Sequence, residues 1–306
     1  MESTKNKVAF ITGGASGIGL GIAHAFGAAG LKLVIADVNA DRRNAAVADL
    51  AGSGIESLGV DLDVKSAESW SAAVDAAERH FGRVDILCNN AGVGQGSRAD
   101  GRPVHLAAMS DDLFRMVFDI NVLGVFLGIR TVVPRMIERG EGGHVVNTSS
   151  MAGLIAPAGL GAYSASKFAV MALTESLRGE VAAHGIGVSV LCPGGVQSNL
   201  VGSSAEQRAA AMGASSDAEA GLISSRPLNP EMMDPLSVGR RVLAGITANE
   251  LYILSHPEYG PLVEERFAAI RAGIGESAQP GYTDPQWLLT HSRNAAYREA
   301  AAASAA

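Results

Sequence analysis

A serine, a tyrosine and a lysine lie at spacings that suit acid–base chemistry. Ser150 follows an apolar run that ends at Thr148, and Tyr163 and Lys167 stand four residues apart in a helical pattern further on. Residues four apart share one face of a helix, so the phenol and the ammonium can meet. A phenol has a reference pKa of about 10, and a nearby positive charge favours its phenolate form. The pattern therefore indicates a tyrosine that exchanges a proton with a substrate hydroxyl, and the alternative is a simple contact on a helix surface.

A glycine-rich turn directly follows the first apolar run, Val8 to Thr12, and opens a helical pattern. Glycines allow a tight turn and a close approach of the backbone to a pyrophosphate, while the helix N-terminus supplies free N–H groups. We therefore expect this turn to bind a dinucleotide, and a purely structural turn is the alternative. The predicted cofactor-binding residues in the turn are Gly13, Ser16, Gly17, Ile18 and Gly19.

The residue at the end of the next strand bears on the choice of cofactor. Asp37 closes that strand, where a carboxylate can bind both ribose hydroxyls of the adenosine and would repel a 2′-phosphate. The sequence therefore favours NAD over NADP. Arg42 and Arg43 follow closely and keep NADP open, because arginine is a good phosphate ligand.

These motifs occur in a fixed order with two others, Asn89-Asn90-Ala91-Gly92 and Pro193-Gly194. From about Val8 to Ser198 the series resembles the short-chain dehydrogenase/reductase family. The resemblance implies Tyr163 as general acid/base, Lys167 as its activator and nicotinamide-ribose ligand, and Ser150 as the group that polarises the substrate oxygen.

The same resemblance implies roles for five further residues. Asn121 matches the family's fourth catalytic residue, whose carbonyl holds a water in a proton relay with the lysine. Asp63 and Val64 would flank the adenine, Asn90 would lie beside the adenosine-side ribose, and Val196 would contact the nicotinamide amide.

The elements that must position these residues alternate between strand and helix. Such alternation predicts an α/β fold, a single-domain Rossmann fold with a doubly wound parallel sheet of about seven strands. We expect one catalytic domain over residues 1–306, with a substrate lid inserted at about 197–235 and a C-terminal extension at about 255–306, whose last residues, AAASAA, should fray. The predicted helices include 18–29, 66–81, 111–139 and 162–184.

Composition excludes several other classes of protein. The 306 residues are 47% hydrophobic and 18% charged, with a net charge of −7, so nucleic acid is not an expected partner. No apolar run is expected to reach the length needed for a signal peptide or a membrane span, so a membrane is not an expected partner either. Two cysteines in apolar runs suggest reduced thiols and a cytoplasmic protein, and the scattered histidines predict no metal site.

The expected substrate is a small molecule, a bulky secondary alcohol or ketone that is mainly apolar or aromatic. Apolar residues Met151 to Ala156 and Leu200 surround the predicted mouth, although ordinary packing explains them equally well. Arg98 and Arg102 could clamp an anionic substrate group, although solvated arginines on a polar loop are the more ordinary explanation. The insertion and the C-terminal extension resemble, more weakly, the family branch with Cα-dehydrogenases of lignin-derived aryl ethers, and steroids are an alternative substrate class.

Two alternative functions and a quaternary structure complete the expectations. The chain could be an NADP-preferring ketone reductase, or a non-catalytic regulator that senses the cofactor, although such a regulator would be expected to lack the intact tyrosine and lysine. The family resemblance implies a homodimer or homotetramer that pairs through helices 111–139 and 162–184.

Overall fold

A computed structural model describes residues 4–96, 102, 104–212, 231–275, 279 and 281–305 of the chain. Their centre is one sheet of seven parallel strands in the order β3-β2-β1-β4-β5-β6-β7. The doubly wound parallel sheet predicted from the sequence is confirmed. The strands are β1 (Val8–Thr12), β2 (Lys32–Asp37), β3 (Ser57–Asp61), β4 (Ile86–Asn89), β5 (Gly143–Thr148), β6 (Ile186–Cys192) and β7 (Tyr252–Leu254).

Helices cover both faces of the sheet, and successive residues of β1 show why. Val8 and Phe10 join an apolar cluster with helices from one face, whereas Ala9 and Ile11 join a second cluster on the other. A strand that is buried on both faces must be apolar throughout, as β1 is. The helices are α1 (Gly17–Ala28), α2 (Ala40–Gly52), α3 (Ala67–Phe81), α4 (Asp111–Phe118), α5 (Gly124–Arg139), α6 (Gly161–Val181), α7 (Leu200–Met212), α8 (Pro235–Thr247), α9 (Gly260–Ala272), α10 (Gln286–His291) and α11 (Ala295–Ala305).

The strand order reverses beside β1. From β1 the chain moves outward to β2 and β3, and it then returns to β4 on the other side of β1. Ligands of doubly wound sheets bind in the crevice beyond the carboxyl ends of the strands at such a reversal. The glycine turn after β1 and the Asn89–Gly92 stretch after β4 both lie at this edge.

The long helix predicted at 111–139 is interrupted. A π-helical turn, Asp119–Leu123, separates α4 from α5. The whole stretch has the length and mean hydropathy, 1.8 over its most apolar window, of a membrane span, which the sequence reasoning overlooked. In the fold, 56% of that window is buried, and α5 packs its apolar side against α3 and the sheet.

The predicted lid and extension are partly helical. Helix α7 forms the first part of the lid, and residues 213–230 lie outside the described residues. In the extension, the Asn294 amide donates to the main-chain oxygen of Glu175 at 3.1 Å, and the Tyr297 hydroxyl donates to the Glu175 carboxylate at 2.7 Å. These bonds attach the C-terminal segment to α6. Helix α11 continues to Ala305, and the expected fraying of AAASAA stays a prediction.

Candidate active site

The glycine turn has a backbone that other residues adopt with difficulty. Gly13 and Gly17 have φ angles of +60° and +50°. A Cβ atom on Gly17 would lie 2.8 Å from the Cβ of Ser198, and one on Gly19 would overlap the main-chain oxygen of Gly13. Glycine therefore lets the lid and the turn itself pack at van der Waals distance, and it leaves the N-terminus of α1 open to the cleft. Ser16, Gly17 and Ile18 line that cleft.

Asn90 connects the two strands on either side of the reversal. Its main-chain N–H donates to Thr12 Oγ1 at 2.9 Å, and its side-chain amide donates to the Thr12 oxygen at 3.1 Å. Thr148 Oγ1 donates to Asn90 Oδ1 at 3.4 Å. Asn90 thus holds the glycine turn in place while lining the cleft, and its predicted contact with a ribose stays a prediction.

Charged residues gather where the cleft meets α2. Asp37 lines the cleft, and its Oδ1 accepts from the main-chain N–H of Asn39 at 3.0 Å. Both arginines that left NADP open are bound to other groups. Arg42 donates to both carboxylate oxygens of Glu206 at 2.7 Å, and Arg43 donates to the main-chain oxygen of Asp37 at 2.6 Å.

Tyr163, Ser150 and Lys167 converge at the other end of the same cleft. A hydrogen bond joins the Ser150 hydroxyl to the Tyr163 phenol, and Ser150 Oγ also accepts from the main-chain N–H of Ala152 at 3.1 Å. Lys167 is only 4% exposed, lies 5.6 Å from the centre of the Tyr163 ring, and donates to the main-chain oxygen of Thr148 at 3.0 Å. The structure therefore brings the three residues together, as their spacing predicts.

Burial sets the protonation of this cluster. It raises the pKa of Tyr163, although the hydrogen bond from Ser150 lowers it in part. Burial lowers the pKa of Lys167 from 10.5 to about 8. In the free protein the loss of solvation thus shifts the pKa of Tyr163 opposite to the direction that a nearby positive charge favours. Tyr163 is therefore a neutral phenol at neutral pH.

Asn121 lies in the π-helical turn between α4 and α5. Its Oδ1 accepts from the main-chain N–H of Val93 at 2.8 Å, and its amide donates to the Val93 oxygen at 2.9 Å and to Ser166 Oγ at 3.0 Å. A Cβ on Gly92 would lie 3.2 Å from Asn121 Oδ1 and 3.4 Å from Lys167 Nζ, so these residues are close neighbours. Single π turns often occur at functional sites, and this one reshapes the backbone beside the lysine.

The remaining predicted residues are placed as follows. Asp63 and Val64 line the cleft near Asp37. Val196 is buried in the core, and its main chain bridges to that of Met233 near the end of the lid.

The apolar mouth divides into two groups. Leu200 lines the cleft, whereas Met151 packs in the core with Met171, so ordinary packing explains that residue. Arg98 lies outside the described residues.

Sequence reasoning missed two residues that hold the loops around the site. The Gln95 amide donates to the main-chain oxygens of Val104 and Gly159 at 3.0 and 2.7 Å, and its Oε1 accepts from the Tyr163 N–H at 3.1 Å. His256 Nδ1 accepts from the Gly194 N–H at 3.0 Å. Neither has a motif, because each acts through main-chain groups that are distant in the sequence.

The orientation of His256 follows from its partners. Since Nδ1 accepts, the ring proton is on Nε2, which donates to the main-chain oxygen of Gly195 at 3.1 Å. A ring from the C-terminal extension thus holds the loop after β6. Glu206 is a further residue without a motif, because its partner, the Arg42 side chain, lies 164 residues away in the sequence.

The cleft therefore combines two binding ends. One end offers glycine backbone, a helix N-terminus and a carboxylate, which together fit a dinucleotide. The other end offers a phenol, a hydroxyl and an ammonium, which fit proton transfer at a substrate oxygen. Among the residues that the structure describes, no three His, Cys, Asp or Glu side chains are grouped to hold a metal ion.

Comparison with known proteins agrees with this geometry. The family described as short chain dehydrogenase matches residues 7–209. A C alpha-dehydrogenase of Sphingobium sp. (strain NBRC 103272 / SYK-6) is 37% identical over 289 residues, which cover 94% of this chain and 91% of the relative. A 3beta-hydroxysteroid dehydrogenase 2 of Eggerthella lenta is 39% identical over 194 residues, 63% of this chain and 72% of the relative.

A solved structure shows the same fold with a cofactor. The short-chain dehydrogenase/reductase of Burkholderia phymatum, in complex with NAD, is 32% identical, covers 92% of this chain and 100% of its own, and superposes with a TM-score of 0.77. Members of this family bind NAD or NADP together with a small-molecule substrate and act as oxidoreductases on secondary alcohols. With the matched segment, the fold and the site in agreement, the chain belongs to the short-chain dehydrogenase/reductase family.

Proposed function

We propose that this protein is an NAD-dependent dehydrogenase that oxidises a bulky, apolar or aromatic secondary alcohol to its ketone, and that Tyr163 is the general acid/base. The observation that carries the proposal is the single cleft that has Asp37 and the glycine turn at one end and Tyr163 with Lys167 at the other.

The charges at the Asp37 end support NAD. The carboxylate of Asp37 suits two ribose hydroxyls and opposes a 2′-phosphate. Arg42 is already bound to Glu206, and Arg43 donates to the main-chain oxygen of Asp37 and to Asp61 Oδ1 at 3.0 Å. The positive charge that a 2′-phosphate needs is therefore largely neutralised within the protein.

The roles of the catalytic residues follow from their contacts. When bound, the nicotinamide ring supplies the acceptor for the hydride that leaves the carbinol carbon. Ser150 hydrogen-bonds the substrate oxygen and orients it towards the Tyr163 phenol. Tyr163 takes the hydroxyl proton as the carbonyl forms, and the Lys167 ammonium stabilises the negative charge near the phenol. In the reverse direction Tyr163 donates the proton to the ketone oxygen.

The substrate assignment has two supports. The cleft that holds the Tyr163 phenol is also lined by apolar groups from Val93, Ile120 and Leu200. The C alpha-dehydrogenase of Sphingobium matches this chain over the lid and the C-terminal extension as well as the core, since it covers 94% of the chain. We therefore place an aryl carbinol first, ahead of an alicyclic alcohol such as a steroid.

A substrate panel tests the proposal. Aryl and alicyclic secondary alcohols are supplied with NAD, and the absorbance of NADH is followed for the wild type and for Tyr163→Phe. We expect turnover of an aryl carbinol, a loss of at least about a hundredfold in kcat for Tyr163→Phe, and unchanged binding of NADH by calorimetry.

The matched control is Tyr297→Phe, which removes a phenol hydroxyl bound to Glu175; neither residue lines the cleft, so this variant should keep wild-type turnover. Turnover that survives in Tyr163→Phe contradicts the proton-transfer role. Activity confined to non-aromatic alcohols contradicts the substrate assignment alone.

We also propose that two or four copies assemble through α5 and α6. Phe126 is 43% exposed on α5 with Leu123 beside it, and such apolar surface is often covered by a partner. Light scattering with size-exclusion chromatography should give the mass of a dimer or a tetramer, and a monomer at micromolar concentration would contradict the assembly.

A further inference from the structure

The guanidinium of Arg42 is held by a carboxylate of the lid. Arg42 lies in the first turn of α2, just beyond Asp37, and Glu206 lies on α7. Its Nη1 and Nη2 donate to Oε1 and Oε2 of Glu206, both at 2.7 Å. Two parallel bonds between a guanidinium and a carboxylate form the strongest and most directional arrangement of this pair. The pair therefore links the adenosine end of the cleft to the lid.

The same two N–H groups of a guanidinium also bind phosphate. Arginine binds phosphate oxygens through two parallel N–H groups, as it binds a carboxylate. Asp37, Arg42 and Glu206 all line the cleft, at the end where the 2′-position of the adenosine ribose is expected. A 2′-phosphate at this end would meet two carboxylates and one arginine whose two donors are already used.

The position of α7 directs Glu206 to Arg42. Two residues earlier, Ser204 is buried, and its Oγ accepts from the main-chain N–H of Gly94 at 2.8 Å. Residues two apart point to nearly opposite sides of a helix. Helix α7 is thus fixed on one side to the loop after β4, and its other side presents Glu206 to α2.

The protonation of the pair agrees with this arrangement. The hydrogen bond with Arg42 lowers the pKa of Glu206, and the hydrogen bond with Glu206 raises the pKa of Arg42. Both groups are therefore charged across the range in which a dehydrogenase is assayed.

We infer that Glu206 is a specificity-determining residue for the cofactor, acting through Arg42: it occupies the guanidinium that would otherwise bind a 2′-phosphate, and so disfavours NADP. This inference rests on the proposed preference for NAD. It predicts that neutralising Glu206 alone opens the site to NADP, even though Asp37 is intact.

The test is calorimetric titration of the full-length protein with NADH and with NADPH. For Glu206→Gln we expect the Kd of NADPH to fall about tenfold and that of NADH to change less than about twofold. In the double variant Arg42→Gln with Glu206→Gln, the Kd of NADPH should equal that of Arg42→Gln alone. Removing Glu206 can improve NADPH binding only by freeing Arg42, and the double variant has no Arg42 to free. Circular dichroism verifies that each variant is folded.

Asp61→Asn is the matched control. It also removes a carboxylate from an arginine of the first turn of α2, since Asp61 Oδ1 accepts from Arg43 at 3.0 Å. Arg43 keeps its bond to the main-chain oxygen of Asp37, so we expect no gain in NADPH binding.

Three results would overturn the inference. The first is an unchanged Kd of NADPH in Glu206→Gln, and the second is an equal gain for both cofactors, which would indicate only a looser lid. The third is a gain that persists without Arg42, which would leave repulsion by Glu206 as the sole cause. A wild type that prefers NADPH contradicts the proposed function instead. The difference in the Kd of NADPH between the wild type and Glu206→Gln still shows whether Glu206 disfavours NADP.

Discussion

Lys167 should lower the stability of the free protein, and its removal should show by how much. Burial lowers the pKa of its ammonium from 10.5 to about 8. The charged form is thus disfavoured by about 2.5 pKa units in the folded state, and each unit corresponds to about 1.4 kcal/mol. The resulting cost is about 3 kcal/mol at about pH 7. Lys167→Met keeps the chain length and removes this cost.

The loss of a hydrogen bond opposes that gain. Lys167 Nζ donates to the main-chain oxygen of Thr148 at 3.0 Å, and an acceptor left without its donor costs about 1 kcal/mol. We therefore expect Lys167→Met to raise the free energy of unfolding by about 2 kcal/mol at about pH 7, while turnover is lost.

The sign of the pH dependence follows from the direction of the shift. A lysine whose pKa is lower in the folded state costs most below that pKa. The cost declines as the pH rises through about 8 towards 10.5, because the folded state releases its proton first. Between about pH 7 and about pH 9, the difference in the free energy of unfolding between Lys167→Met and the wild type should therefore shrink by about 1 kcal/mol.

Urea unfolding without cofactor, at equal protein concentration, measures both quantities through tryptophan fluorescence. The signal should change on unfolding because Trp70 is fully buried, whereas Trp287 is already exposed. Lys32→Met is the control, because Lys32 is a surface residue paired with Glu56 at 3.1 Å. We expect its difference from the wild type to be small and equal at both pH values. A Lys167→Met variant that is less stable than the wild type, or whose gain does not change with pH, would refute the reasoning.

Two further predictions concern cofactor choice and the loop after β6. Asp37→Ala should narrow the preference for NAD over NADP by about tenfold in relative kcat/KM, since the carboxylate that opposes a 2′-phosphate is gone, and an unchanged ratio would argue against its role. His256→Phe should lower kcat and the melting temperature together, because the ring loses its hydrogen bonds to Gly194 and Gly195. The expected loss in the free energy of unfolding is about 1–2 kcal/mol, measured by calorimetry. A wild-type melting temperature in this variant would show that the loop is stable without the histidine.

Residues close together in the sequence were predicted best. The glycine turn, Asp37 and the Tyr163–Lys167 pair are each defined within one turn, one strand end or one helix, and the structure places all of them on one cleft. Helix α2 was not singled out, because only Ala46 and Leu50 are buried on it and so its apolar periodicity is weak.

Features that depend on distant partners were missed. The π turn at Asn121 is invisible in an apolar helical pattern, since its side chain is fixed by the main chain of Val93, 28 residues away. Glu206 and Arg42 are 164 residues apart, and nothing in either local sequence links them. Composition also could not show which effect dominates at Tyr163, because desolvation depends on the packing around it.

The protonation of Tyr163 and Lys167 has a consequence for the order of events in the cleft. In the free protein, burial keeps Tyr163 a neutral phenol and makes the Lys167 ammonium costly. A further positive charge placed in the cleft would favour the phenolate form of Tyr163. The negative charge of that phenolate would in turn stabilise the Lys167 ammonium. On the proposed mechanism, the tyrosine would become a competent base only when the oxidised cofactor is bound. We therefore expect an alcohol that arrives first to meet a phenol that can hydrogen-bond to it but cannot take its proton, and the oxidised cofactor to be bound before the proton moves.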